Sequence, residues 1–377
     1  MSLLFTPFQM RDVTLRNRVI VAPMCQYSSK HGVANDWHLV HLGRFALGGF
    51  GLVMVEATGV SPEGRISYAD MGLWNDEQEK ALSRVAGFLK SQGSSPAIQI
   101  AHAGRKASTP VPWRGGVAET ADEKVKFGFE HWVPVAPSAI PHSTSPDFQV
   151  PTALDKAGIQ KVVTDFGASF KRADRAGFEV AEIHAAHGYL LNQFLSTFSN
   201  TRTDEYGGSR ENRMRLLLEV AEAARAAWPK NKPLWARISV VDGKDGWSVE
   251  DSLALVPELK ARGVDVIHCT TGGFDGTSVK PGAHYQVPFA AALRKAGLPT
   301  VAVGLIQDAA AAEKVLESGD ADLIALARGA LEDPNWAVHA HHILDVGDEA
   351  YKLWPKQAAA RLRDKDRTLG IRGFAGN

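Results

Sequence analysis

The chain has 377 residues, 45% of them hydrophobic and 22% charged, with 42 basic residues against 42 acidic. That length holds one large α/β barrel or two to three ordinary domains, and the balanced charge argues against a nucleic-acid partner or an anionic membrane surface. Two cysteines, Cys25 and Cys269, exclude a disulfide framework and a multi-thiolate zinc site. No apolar run approaches the ~18 residues of a membrane span, and the opening MSLLFTPFQMRDVTLRNRV lacks the order of a signal peptide. A cytoplasmic protein is expected.

In chain order, short apolar runs at 18–22, 52–57, 97–101, 180–184, 234–240, 264–270, 300–303 and 323–327 alternate with longer amphipathic ones. The runs are aliphatic or β-branched on both faces, as in parallel strands covered by helices. The segment Asp36-Trp37-His38-Leu39-Val40-His41 reads as a structural helix. A helix over 76–91 opens with acids and precedes Gly93, as the macrodipole and a glycine stop require. Further helices are expected at 154–176, ending at Gly177, and at 210–228, stopped by Pro229. Two more lie at 248–262, where Ser248 and Glu250 resemble a capping box, and at 308–318 before Gly319. Eight such alternations predict one α/β domain, a (β/α)8 TIM barrel with loop insertions at 104–152 and 186–210. Residues 1–340 are expected to form the barrel, and 341–377 a basic, poorly packed tail.

In a barrel of this kind chemistry sits at the carboxyl ends of the strands. Gly304 after the seventh strand and Ala327-Arg328-Gly329 after the eighth would offer N–H groups and a guanidinium where barrels often bind phosphate. The competing reading makes Arg328 a surface ion-pair partner. Arg237 lies inside the apolar run Leu234-Trp235-Ala236-Arg237-Ile238-Ser239, where a permanent charge needs an anion or many acceptors. A cofactor contact and a buried pair with Glu56 both satisfy that need. His184 and His187, three residues apart past the fourth strand, could donate to one ligand atom, bind a metal or serve structure alone. Glu182 is a weak third ligand, and no HxH, HExxH or CxxC partner accompanies the pair, so no metal is expected. Tyr189 adds a possible proton donor beside them. Cys25 stands at the rim after Pro23-Met24, where packing alone does not demand it, whereas Cys269 reads as core.

No GxGxxG joins a strand to a helix and no GxxxxGK[ST] occurs, so neither a Rossmann domain nor a P-loop is expected. No lysine lies within a strand near its carboxyl end, which weakens a Schiff-base lyase, though Lys106 stands in a loop. A metal-dependent or Schiff-base lyase and a non-catalytic binder of phosphorylated ligands are the rival functions on this fold.

One resemblance covers nearly the whole chain. Ala22-Pro23-Met24-Cys25-Gln26-Tyr27, Val55-Glu56-Ala57-Thr58, Gln99 through Lys106, His184-Ala185-Ala186-His187-Gly188-Tyr189-Leu190, the segment 200–209, Ala302-Val303-Gly304 and the segment 327–334 follow in order. This set resembles the Old Yellow Enzyme family, in its thermophilic-like or xenobiotic-reductase-like branch, which Cys25 marks. The resemblance implies non-covalent FMN. Ala22, Pro23, Met24, Cys25 and Ala57 would line its ring, Gln99 and Arg237 its pyrimidine edge, and Gly304, Ala327 and Arg328 its phosphate. It also implies an NADPH dehydrogenase and ene-reductase, with NADPH or NADH giving hydride to the flavin and the flavin passing it to activated alkenes such as unsaturated carbonyls and nitroalkenes. His184 and His187 would hold the substrate oxygen, Tyr189 would supply the proton, Cys25 would tune the flavin, and Tyr27 would touch the substrate. A homodimer or homotetramer is implied as well. Relatives often place a bulky C-terminal residue in a neighbouring site; here that stretch is Trp354 to Arg361, with alanines between, and neither Trp354 nor Arg361 is assigned.

Overall fold

The computed structural model describes residues 2–115, 120–122, 125, 130–143, 149–274 and 279–374. A hairpin of β1 (Phe8–Met10) and β2 (Val13–Leu15) leads into β3 (Val19–Val21), β4 (Leu52–Gly59) and β5 (Ser95–Ala101). A minor pair follows, β6 (Val135–Ala136) with β7 (Thr152–Ala153), and then β8 (Val180–Ala185), β9 (Leu234–Ser239), β10 (Val266–Thr270), β11 (Thr300–Ala302) and β12 (Leu323–Leu326). Strands β3, β4, β5 and β8 to β12 close into a parallel barrel, with β12 sealing onto β3 through Ile324, Ala325 and Leu326. Each falls on one of the eight apolar runs, so the expected (β/α)8 barrel is the fold.

A helix follows every barrel strand: Asp36–Leu47, Asp76–Ser91, Lys156–Arg175, Arg210–Ala227, Val249–Ala261, Val287–Lys295, Ala309–Glu317 and Trp336–Leu344. Six of these eight starts are set by side chains that accept the first free N–H groups. Asn75 and Gln78 cap each other's backbone at Asp76–Ser91, and Asn35 does the same with His38. At Val249–Ala261 the partner of Ser248 is Asp251, one residue beyond the expected Glu250, because the reciprocal bond requires the third helical position. The helix Val287–Lys295, absent from the sequence reading, is nine residues long and has no side-chain cap.

The apolar residues divide into a shell between sheet and helices and a plug inside the barrel. The plug stacks Met10, Val13 and Leu15 of the hairpin beneath Leu52, Val180, Trp235, Val266, Val301 and Leu323, which closes the N-terminal end. The tail departs from expectation. A helix at Lys356–Leu369 packs against the turn Gly347–Tyr351. There the buried Asp366 carboxylate accepts from Tyr351 Oη, from Arg372 Nη1 at 2.5 Å and pairs with Lys365 at 3.1 Å. Ionic docking leaves no apolar stripe to read, which is why the sequence suggested a loose end. Within the 104–152 insertion, residues 116–119, 123–124, 126–129 and 144–148 lie outside the described residues. Among the described residues no helix is long and apolar enough to cross a membrane.

Candidate active site

The turn after β8 brings three aromatic groups together. His184, at the end of the strand, is buried, with its ring centroid 5.2 Å from that of His187 and 4.9 Å from that of Tyr189. His187 has φ +59°, a left-handed conformation that costs a branched or ring-bearing residue of order 1–3 kcal/mol unless the surroundings hold it. They do so on three sides. Its N–H donates to Ser239 Oγ at 2.9 Å, its carbonyl accepts from Lys106 Nζ at 2.9 Å, and its Nε2 lies 3.0 Å from Thr270 Oγ1. Ser239 also donates to the Gly272 carbonyl at 2.6 Å, tying the turns after β8 and β10 together. These turns meet backbone to backbone: a Cβ on Gly273 would stand 2.2 Å from the nitrogen of Gly188. The Ala186 N–H donates to His184 Nδ1 at 3.3 Å, which leaves the proton of the neutral ring on Nε2.

Burial, reinforced by the positive charge of Arg237, pushes both imidazoles well below their usual range, so at neutral pH they are uncharged donors. Burial raises the Tyr189 phenol well above its ordinary value, and the charges of Cys25 and Asp70 add to this, so it stays protonated. Asp70, held by the N–H and hydroxyl of Ser67 at 2.8 and 3.2 Å, is itself raised by burial to about 7.

After β3 the chain turns through Cys25 and Tyr27, the latter with φ +47° and its ring edge-on to Trp113 at 5.9 Å. Burial and then the charge of Glu56 raise the Cys25 thiol. Glu56 is not the partner of Arg237. The β4–β5 register slips between Val55 and Ala57, so Glu56 is the extra residue of a bulge and leaves the barrel interior. One of its oxygens accepts the Gln26 N–H at 2.5 Å and the other lies 3.2 Å from His38 Nε2. The same slip turns Ala57 inward. Glu182 does not join the two histidines as a ligand either: it accepts from Gln99 Nε2 at 2.6 Å and meets His268 Nδ1 at 2.9 Å. Among the described residues no three His, Cys, Asp or Glu side chains form a metal group.

Two cavities flank the aromatic trio. The longer, about 180 Å³ and open to solvent, runs from His187, Arg237 and Thr270 past Tyr285, Gln286 and Val303 to Gly304, Ala327, Arg328 and Gly329. The smaller is a narrow pocket bounded by Ala57, Gly59, Ala101, Ala103, Arg65, Asp70 and Tyr189. Sequence reasoning placed Arg237, His187, Gly304, Ala327 and Arg328 at one site, and one groove does contain them. Ala22 packs in the barrel interior and Met24 against the outer core. Ala22, Pro23, Met24, Cys25 and Gln99 lie outside the linings of both cavities. Ser239, Thr270 and Asp70 were not singled out from the sequence; as isolated small polar residues they carry no spacing signal. Lys106 was read only as a loop lysine.

The groove fits an elongated, phosphorylated ring cofactor. Among the described residues the buried Nε of Arg237 has no hydrogen-bond partner, an orphan donor that a bound acceptor would satisfy. At the far end Gly304 has φ +119°, and a Cβ there would come within 3.0 Å of the Tyr285 ring, so the turn stays bare. Arg328 is exposed beside it.

Residues 3–346 match the model of the NADH:flavin oxidoreductase / NADH oxidase family. An NADPH dehydrogenase of Geobacillus thermodenitrificans is 43% identical over 93% of this chain and 96% of its own. Among solved structures, morphinone reductase superposes with a TM-score of 0.75 at 28% identity, over 90% of this chain and 89% of that one. The Old Yellow Enzyme homologue from Zymomonas mobilis gives 0.74 at 25% identity, over 91% and 94%. The chain therefore belongs to the NADH:flavin oxidoreductase / NADH oxidase family, of Old Yellow Enzyme type, as an FMN-dependent oxidoreductase on a (β/α)8 barrel.

Proposed function

We propose that the protein reduces activated C=C bonds, in α,β-unsaturated carbonyls and nitroalkenes, with NADPH or NADH as the hydride source. The observation that carries this reading is the single groove joining Arg237 and His187 to Gly304 and Arg328, with Tyr189 on the neighbouring cavity and His184 in ring contact with both His187 and Tyr189. FMN bound there would relay hydride from the nicotinamide to the alkene β-carbon; the remaining work falls to the chain.

Arg328, Gly304 and Ala327 would hold the phosphate, and Arg237, with Gln99 from the layer beneath the groove, would meet the pyrimidine edge. Ala22 through Cys25 and Ala57 would border the ring. His184 donates from Nε2 to the carbonyl or nitro oxygen, and His187 donates from Nδ1 when Thr270 occupies its Nε2. Both stay neutral through burial, so the substrate oxygen meets hydrogen bonds rather than a titrating cation. Tyr189 gives its proton to the α-carbon and recovers one from solvent. Cys25 would border the reacting edge, and Tyr27, edge-on to Trp113, would close the oxygen end.

The same proposal includes a homodimer or homotetramer touching through residues 341–377. Trp354 already donates to His342 Nε2 at 2.9 Å, which leaves the exposed Arg361 as the side chain available to a second copy.

The test is the oxidative half-reaction with 2-cyclohexen-1-one, followed in single turnover after anaerobic reduction. His184→Ala and His187→Ala should each slow it about 10²–10³-fold, the usual cost of losing one oxyanion donor, with FMN still bound. Wild-type rates in both variants would remove the pair from the mechanism.

A further inference from the structure

Among the fully buried titratable groups that the mechanism above does not use, Glu182 and His268 lie nearest its residues, on the strands flanking that of Arg237. Glu182 and His268 have no exposed surface, and neither lines either of the two cavities described above. Together with Gln99 they form one connected unit: Gln99 Nε2 donates to Glu182 Oε1 at 2.6 Å, and Glu182 Oε2 lies 2.9 Å from His268 Nδ1. Arg237 stands on the strand between their strands, opposite His268 in the β9–β10 register.

A structural explanation is weak. Burying a carboxylate and a guanidinium costs several kcal/mol per ion, and apolar residues of similar volume usually do as well or better. The same strands show the apolar solution one step lower, where Ala97, Val180, Trp235 and Val266 pack in the plug. The geometry also fixes the direction of every donor. An amide nitrogen can only donate, so Glu182 accepts at Oε1 and turns the Gln99 NH₂ toward itself, leaving the Gln99 carbonyl free for a ring N–H. Burial and the charge of Arg237 hold His268 below its usual range, hence neutral. Its Nδ1 then carries the proton to Glu182, and its Nε2 is left buried with no partner. The unit therefore contributes one negative charge beside the positive charge of Arg237. Glu182 is correspondingly the largest charge acting to keep Arg237 protonated against its burial.

We propose that Glu182 is a positioning residue for the cofactor's pyrimidine edge: it orients Gln99 through one oxygen, is braced by His268 through the other, and offsets Arg237 so that the reduction potential is held down. This rests on the reading above that Gln99 and Arg237 face that edge. Negative charge collects there when the ring accepts hydride, and an unopposed Arg237 would favour the reduced form.

The experiment is the FMN midpoint potential of the full-length holoenzyme, measured by dye equilibration, with FMN content read by fluorescence. Glu182→Gln keeps size and removes the charge. It should bind the reduced cofactor at least tenfold better relative to the oxidised one, about 30 mV more positive for a two-electron couple. Reduction by NADPH should quicken and reoxidation by 2-cyclohexen-1-one should slow, opposite signs that simple loosening does not produce. Glu182→Asp keeps the charge with a shorter reach and should lie closer to the wild-type potential. Equal potentials for wild type and Glu182→Gln, or equal displacement in both variants, overturn the proposal. So does loss of FMN from both, which would make Glu182 structural. If the wild-type protein itself binds no flavin, it is the functional reading that fails.

Discussion

Two neighbouring layers of the barrel interior are built on the same strands yet are chemically opposite. In the lower layer Ala97, Val180, Trp235 and Val266 pack on the hairpin. Two residues further along, on the same face of each strand, stand Gln99, Glu182, Arg237 and His268. The change is confined to half of the circumference. On β3, β4, β11 and β12 the corresponding step runs from Ile20 to Ala22, Leu52 to Met54, Val301 to Val303 and Leu323 to Ala325, and stays apolar. The barrel thus carries a purely structural floor below a layer split into a polar and an apolar sector. Under the proposed function, the first sector would serve an edge rich in hydrogen-bonding atoms and the second a flat ring.

If that division is correct, changes above should alter catalysis and changes below should alter stability. Tyr189→Phe should give the largest effect: enone-driven reoxidation slowed about 10²–10⁴-fold, with NADPH reduction and FMN content retained. A uniform slowing of both half-reactions would instead indicate displacement of the trio. Trp235→Ala, in the floor, should lower unfolding stability by about 3–5 kcal/mol; chemical denaturation would measure it, and holoenzyme that survives should turn over normally. Arg328→Ala should weaken FMN binding about tenfold to a hundredfold, the worth of a hydrogen bond to a charged group, in a fluorescence titration of apoprotein. Undiminished affinity would move the phosphate elsewhere.

The smallest effect concerns pH. His102 is buried, and burial depresses its folded-state pKa from 6.5 to about 4. The unfolded chain therefore binds a proton below pH 6.5 that the fold refuses, and stability is lost as pH falls from 6.5 toward 4. His102→Gln should make that decline shallower by up to about 1.4 kcal/mol per pH unit. Identical slopes would show that His102 accepts a proton without unfolding.

The fold was legible because parallel strands buried on both faces leave unbroken apolar runs, and all eight were found. The site was legible where it depends on motifs at strand ends: His184, His187 and Tyr189 do converge, and Arg237 opens onto the same groove as Gly304 and Arg328. What could not be read depends on register. The bulge between Val55 and Ala57 sends Glu56 to His38 rather than to Arg237, and no composition signal marks it. Likewise the link from Gln99 through Glu182 to His268 joins three strands far apart in sequence. Ser239, which pins His187, is one serine among many until β9 is placed beside β8. The tail helix buries Asp366 rather than apolar residues, so nothing in its sequence signalled that it packs.

The most direct test of the central claim is an anaerobic visible spectrum of the purified protein, taken before NADPH, after stoichiometric NADPH, and after 2-cyclohexen-1-one. A flavin band that bleaches and then returns with the enone is the predicted result. A colourless protein that takes up no FMN on reconstitution would contradict the assignment of the groove. A band that bleaches but recovers only with oxygen would contradict alkene reduction.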